Sequence, residues 1–369
     1  MTTRPRAAHA RPPTARAFPS SEDWGKSRGD GLAHSWLGWA WVWFQLLKAH
    51  LIDDDANTRR AVFARLKKEI ARPHRTDRIG HLLGSGGAPV VAALAASVDP
   101  AFEALVDPAI ARWTTSCNDS TNVDVMFGAA GALLASAEIE SYLPRRLPRA
   151  FVRNLHRRST TGLRDFVSAN DHCLLGMAHG IAGQLLALEV ARDCFGFSLT
   201  SDLRDKALKI LSTSRLDGGR GMSFWPNLRG QSEIDIHGWC HGGPGIGLAL
   251  AAMHRITGHM PYEDLRDHAL AGCVLSAPEP ISFCCGALGR THILIEGFRL
   301  TENKRWLRAA RRQASRAPSM HFDDAYQDSF HFGRLGALYL EWRLAYPNRL
   351  PLLGLGQLSN NDAWLQSRP

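Results

Sequence analysis

Apolar residues run through this chain in short helical stretches, and each stretch follows the same small turn. Six Gly-x-x-Gly units recur, at Gly84–Gly87, Gly128–Gly131, Gly180–Gly183, Gly242–Gly245, Gly286–Gly289 and Gly333–Gly336. Their first glycines are 44, 52, 62, 44 and 47 residues apart. The runs that follow are VVAALAAS (90–97), ALLASAEI (132–139), QLLALEVA (184–191), GLALAAMH (247–254), HILIEGF (292–298) and ALYLEWRLA (337–345). Each reads as a helix opened by the glycines, which let the chain reverse closely. The stretches between them carry further helical patterns, such as DLRDKALKILS (202–212), so the unit is a pair of helices. A period of this size marks an array of supersecondary units. Strand-type alternation is sparse. The fold class predicted is all-α, with about six to seven helix-pair repeats stacked as an open solenoid or closed into a toroid. The terminal units lack a recognisable polar cap, which favours closure.

Composition sharpens this picture at the ends of the chain. The first 30 residues are rich in Pro, Arg and Ser and lack a core pattern, which predicts a disordered basic tail. Residues 31–369 then form a single repeat domain. The tail has no apolar h-region of a secretory signal, so the expected location is cytoplasmic. The most apolar stretch spans 32–51, but its core from Trp36 to Leu47 is shorter than the ~20 residues a bilayer span needs. Trp36, Trp39 and Trp43 share one helical face. The expectation is a buried helix capping the repeat, with peripheral contact to a membrane surface or a peptide as the alternative.

The net charge is +9, and basic density peaks at 58–78 and 144–158. No nucleic-acid motif accompanies these segments, so they read as solvated helix faces or a docking surface for an acidic peptide. Seven cysteines occur, at 117, 173, 194, 240, 273, 284 and 285. Without a secretion signal they are not expected to form a disulfide framework. Cys117, Cys173, Cys194 and Cys273 read as small core residues or isolated thiols.

The remaining three cysteines fall into one register. Aligned on the first glycine, the preceding residue is Leu83, Phe127, His179, His241, Cys285 and Phe332, and the one before it is Leu82, Met126, Ala178, Cys240, Cys284 and His331. Metal-competent and acid–base groups thus replace apolar ones at equivalent points of the repeat. If the turns point to a common centre, Cys240, Cys284, Cys285 and His179 converge. Three thiolates suit Zn²⁺ and leave a fourth position open, as a catalytic site does; His179 or His241 as a closing ligand would make the site structural. Asp124, in the mainly apolar run NVDVMFGAAG (122–131), is expensive to bury unpaired, so it caps the turn or orients a histidine. His237 and Asp235 lie beside the site motif and read as loop positions without function.

In GMAHGIAG (176–183), GWCHGGPGIG (238–247) and FCCGALG (283–289) the chain resembles the LanC-like lanthionine cyclases, over about residues 80–340. The resemblance implies an α/α toroid, a double-layered helical barrel. It also implies zinc-dependent addition of peptide cysteine thiols to dehydroalanine or dehydrobutyrine, which forms lanthionine or methyllanthionine. Its zinc ligands would be Cys240, Cys284 and Cys285, the last standing where the family often has histidine. Three thiolates would donate more charge to the metal, with faster or less selective ring closure as the expectation. His179 matches the family's active-site histidine, Asp124 its acidic companion, and His241 the position after the zinc cysteine. Ile236 stands where some members carry an arginine. The implied partners are a dehydrated precursor peptide with a leader and, since 369 residues leave no room for a dehydratase domain, a separate dehydratase. Two other functions compete: addition of glutathione or another small thiol to dehydroamino acids, and a non-catalytic zinc-stabilised scaffold that binds a leader peptide.

Overall fold

Helices that are apolar on every side need neighbours on every side, and a closed ring with an outer layer gives each of them that cover. The computed structural model describes residues 18, 19, 24 and 31–359, apart from 73–76, 145, 170–172, 275–281 and 316–327. The inner layer is α1 (Trp36–Lys48), α3 (Gly87–Val98), α5 (Ala129–Tyr142), α7 (Ile181–Phe195), α9 (Gly243–Thr257), α11 (Ala287–Thr301) and α13 (Arg334–Ala345). The outer layer is α2 (Ala56–Ala71), α4 (Glu103–Cys117), α6 (Arg149–Ser168), α8 (Ser201–Thr213), α10 (Met260–Gly272) and α12 (Lys304–Ala314). Burial follows the layers. Every residue of α7 from Ile181 to Ala191 is buried, whereas the longer α6 buries only Val152, Leu155, Ser159, Gly162 and Leu163.

Each inner helix packs on the next, and α13 packs back on α1, so the array is a closed toroid. Closure depends on a seventh turn, where the first glycine is replaced by Ser35 and the second is Gly38. Ser35 caps α1 by accepting the Leu37 N–H on its Oγ at 3.2 Å. Glycine is kept at the second position for a steric reason. A Cβ on Gly38 would lie 2.2 Å from the Leu32 carbonyl oxygen, and one on Gly289 would lie 1.8 Å from that of Phe283. The tryptophan-rich helix is therefore not a cap on the repeat but one of its members. Its residues Trp36 to Leu47 are all buried, which leaves no tryptophan face for a membrane or peptide. Among the described residues no helix is long and apolar enough to cross a membrane.

The turns are stitched to one another by backbone hydrogen bonds. The residue two before the capping position donates its N–H to its counterpart in the next unit: Ala33 to Leu82, Met126 to Ala178, Ala178 to Cys240, Cys240 to Cys284, Cys284 to His331 and His331 to Ala33, at 2.9–3.3 Å. At the remaining junction Ile79 donates to the Phe127 carbonyl at 2.8 Å. One end of the ring is thus a continuous girdle of turns, and equivalent residues become neighbours around it.

The middle of the ring is filled by the chain that follows α13. Leu350, Leu352, Leu353 and Leu355 are buried there. The Tyr339 hydroxyl of α13 donates to the Pro351 carbonyl at 2.8 Å, and Gly356 lies against Glu138 and Tyr142 of α5, on another side of the ring. Glu138 Oε1 accepts from Trp41 Nε1 at 2.8 Å and from the Tyr142 hydroxyl at 2.9 Å. Burial pushes the Glu138 carboxyl up from 4.5 to about 7, against the opposing pull of those donors. A carboxyl whose folded pKa is raised stabilises least when ionised, so its contribution falls as pH rises from 4.5 to about 7. Glu138→Gln keeps an accepting oxygen and cannot ionise. It is expected to match the parent in stability near pH 4.5 and to exceed it by roughly 3 kcal/mol at pH 8. Thermal melts of both proteins across that range check this; a constant difference would mean that Glu138 does not titrate in the folded state.

Elsewhere the described structure departs little from the sequence pattern. One two-stranded hairpin, β1 (Leu216–Asp217) paired antiparallel with β2 (Ser223–Phe224), sits between α8 and α9. All seven cysteines are free; Cys117, Cys173 and Cys273 are buried and Cys194 is partly so. The tail predicted over residues 1–30 lies mostly outside the described residues. Trp24 within it is buried, stacked on Trp39 with centroids 6.5 Å apart.

Candidate metal centre

Cys240 and Cys284 occupy the same rung of adjacent turns, and the Cys240 N–H bonds the Cys284 carbonyl at 3.2 Å. Cys285 follows at the next position, its N–H held by Ser282 Oγ at 3.2 Å. The three sulfurs lie within 4.8 Å of one another, with Cys240 Sγ 3.3 Å from Cys285 Sγ. Behind Cys240, Gly242 turns the chain at φ +87°, a conformation open to glycine and strained for other residues. His241 is thereby set at the rim beside the cysteines.

Three thiols this close cannot all ionise without a cation among them. Sulfhydryl hydrogen bonds from Cys240 and then Cys284 hold the Cys285 thiol down, to about 3. The hydrogen bond with Cys240, followed by that with Cys285, pushes the Cys284 thiol up. The cluster suits a soft divalent metal. Around tetrahedral zinc, thiolate sulfurs stand about 3.8 Å apart, inside the spread found here. The group of side chains that could hold a metal is Cys240, Cys284 and Cys285, with His179 and His241 outside it.

Asp124 does both jobs foreseen for it. Its Oδ1 accepts the Phe127 N–H at 2.7 Å, capping its own turn. Its Oδ2 accepts from His179 Nδ1 at 2.7 Å, across a junction of the girdle. With both oxygens accepting, Nδ1 carries a proton, and Nε2 is the ring nitrogen left on the far side of the imidazole. The His179 ring sits 5.8 Å from that of His241 and 5.6 Å from that of Phe127. Burial, and then the neighbouring His179, lower the pKa of His241, while Cys285 opposes the shift.

The other nearby residues stand apart from this constellation. His237 donates from Nε2 to the Gly272 carbonyl at 3.0 Å, tying the turn to α10. Burial pushes it down to about 4. Asp235 is exposed. Ile236 packs partly buried on the core, so no guanidinium occupies that position. The sequence pattern missed His34, the seventh member of the rim, whose ring lies 5.3 Å from Phe332. The Ser35-x-x-Gly38 spacing was the signal that would have revealed it.

The family model described as lanthionine synthetase C-like protein matches residues 26–348. Among solved structures, one titled nisin cyclase superposes with a TM-score of 0.69 at 16% identity, covering 91% of this chain and 93% of that one. At that identity the likeness is one of fold. No curated protein matches the chain. A match over nearly the whole toroid, girdle of turns included, makes this chain a member of the lanthionine synthetase C-like family.

Proposed function

We propose that the protein is a zinc-dependent cyclase that adds cysteine thiols of a precursor peptide to its dehydroalanine and dehydrobutyrine residues, closing thioether rings. The hydrogen-bonded Asp124–His179 pair, set one turn away from a three-thiol cluster on the same girdle, carries this reading. Cys240, Cys284 and Cys285 hold the metal, and three protein ligands is the number typical of a catalytic zinc. When bound, zinc lowers the pKa of a substrate thiol so that the thiolate forms near neutral pH.

Asp124 fixes the His179 tautomer, and Nε2 takes the proton of the incoming thiol. The sulfur adds to the alkene β-carbon, and the electron pair of the double bond moves onto the α-carbon and its carbonyl. His179 returns the proton to the α-carbon, so one S–C bond and one C–H bond replace an S–H bond and a π bond. The alkene is made by a separate dehydratase, and a leader segment delivers the peptide. Seven free cysteines are in keeping with a reducing, cytoplasmic setting.

The test incubates the zinc-loaded protein with a dehydrated, cysteine-containing peptide and then alkylates free thiols. Ring closure leaves the peptide mass unchanged and removes alkylation sites. Full alkylation with and without the protein, or purified protein that binds no zinc, rejects the reading.

A further inference from the structure

The girdle sorts its residues into two rings. The inner positions, Ala33, Leu82, Met126, Ala178, Cys240, Cys284 and His331, are all buried. The positions that follow them, His34, Leu83, Phe127, His179, His241, Cys285 and Phe332, are all only partly buried. This second ring forms the rim of the mouth, and it divides into two arcs. His179, His241 and Cys285 make the reactive arc. Phe332, His34, Leu83 and Phe127 come from the four consecutive turns that complete the circle, with Leu83 on the turn across from the cysteines. The Arg78 guanidinium lies over the Phe127 ring, 4.9 Å from its centroid.

Polar groups at a wet mouth need no explanation, but three large apolar side chains left partly bare at equivalent points do. Each packs partly on the core and stays partly exposed at the rim. Covering that surface is favourable, and the reaction supplies something to cover it. In an extended peptide successive side chains point to opposite sides. A peptide whose reacting residue faces the thiols therefore turns the adjacent side chain toward Leu83 and its neighbours.

Resting on the cyclase reading, we propose that Leu83, Phe127 and Phe332 form an apolar subsite. It takes the aliphatic or aromatic side chain next to the residue being cyclised, and so selects which positions of the precursor are closed. Phe127 stands beside both arcs, since its ring touches that of His179 and its N–H is held by Asp124.

The test compares dehydrated peptides identical except at the residue adjacent to the dehydroalanine: Gly, Ala, Val, Leu, Phe or Asn. With the zinc-loaded wild-type protein, kcat/KM is expected to rise with apolar size, the Leu peptide exceeding the Asn peptide by about tenfold to a hundredfold. In Leu83→Ala and in Leu83→Ala/Phe332→Ala that ratio is expected to fall toward one. A flat or reversed series with the wild-type protein overturns the subsite even if a variant fails to fold, as does a ratio that the variants leave unchanged. Closure of none of the peptides rejects the cyclase reading instead, and the subsite with it.

Discussion

Cys284→Ala is expected to empty the metal site and to abolish ring closure. Its sulfur is one of three within 4.8 Å, and two remaining thiols do not make a closed ligand set for zinc. Zinc per chain, measured by elemental analysis on dialysed protein, should fall from about one to near zero. Cyclisation followed by thiol alkylation should fall to the uncatalysed rate. The fold should survive, because the turn is held by its backbone: Cys284 N–H to the His331 carbonyl, and the Cys284 carbonyl to the amides of Trp239 and Cys240. None of these bonds uses the side chain. Far-ultraviolet circular dichroism should therefore overlay that of the parent. A variant that keeps its zinc would remove Cys284 from the ligand set. One that loses zinc but still closes rings would end the case for metal-assisted addition.

His179→Ala is expected to slow ring closure by about a hundredfold to ten-thousandfold, the range for removing a positioned acid–base group, with zinc content unchanged. The separation of the two readouts is the point of the experiment. His179 is outside the thiol cluster, so its loss should not disturb the metal, and a merely structural role would not leave zinc in place while the rate collapses. Asp124→Asn should follow it by a smaller factor, about tenfold to a thousandfold. An amide at position 124 presents an N–H where Oδ2 now accepts the Nδ1 proton at 2.7 Å, so the ring is driven to the other tautomer and Nε2 carries the proton. An unchanged rate in His179→Ala would leave the dyad without a part in the chemistry.

The site was legible in the sequence to an unusual degree because it is built on a repeat. Cys240 and Cys284 occupy one register, and His179, His241 and Cys285 the next, so lining up the glycines lined up the chemistry. What register cannot say is which units adjoin in space. The convergence expected at a common centre proved to be adjacency around the girdle, with Cys240 Sγ brought to 3.3 Å from Cys285 Sγ. Asp124 was ambiguous between capping and orienting because a local pattern shows only its own turn. The structure shows the two oxygens divided between the two tasks. The tryptophan-rich helix reads as a cap in the sequence for a simpler reason: Ser35 stands where the other turns carry glycine, so its turn lacks the glycine pair that marks the rest.

By itself the sequence determined the helices, the turns that open them and the residue types available at each turn. These are local properties, written in apolar periodicity and in glycines that only a close backbone approach requires. The resemblance added a reaction and a role for each residue. Only the tertiary structure decided that the seventh unit closes the ring and that the segment from Leu350 to Gln357 fills its centre. Those facts rest on contacts between residues tens to hundreds of positions apart. Packing geometry chooses such partners, and no pattern along the chain records them.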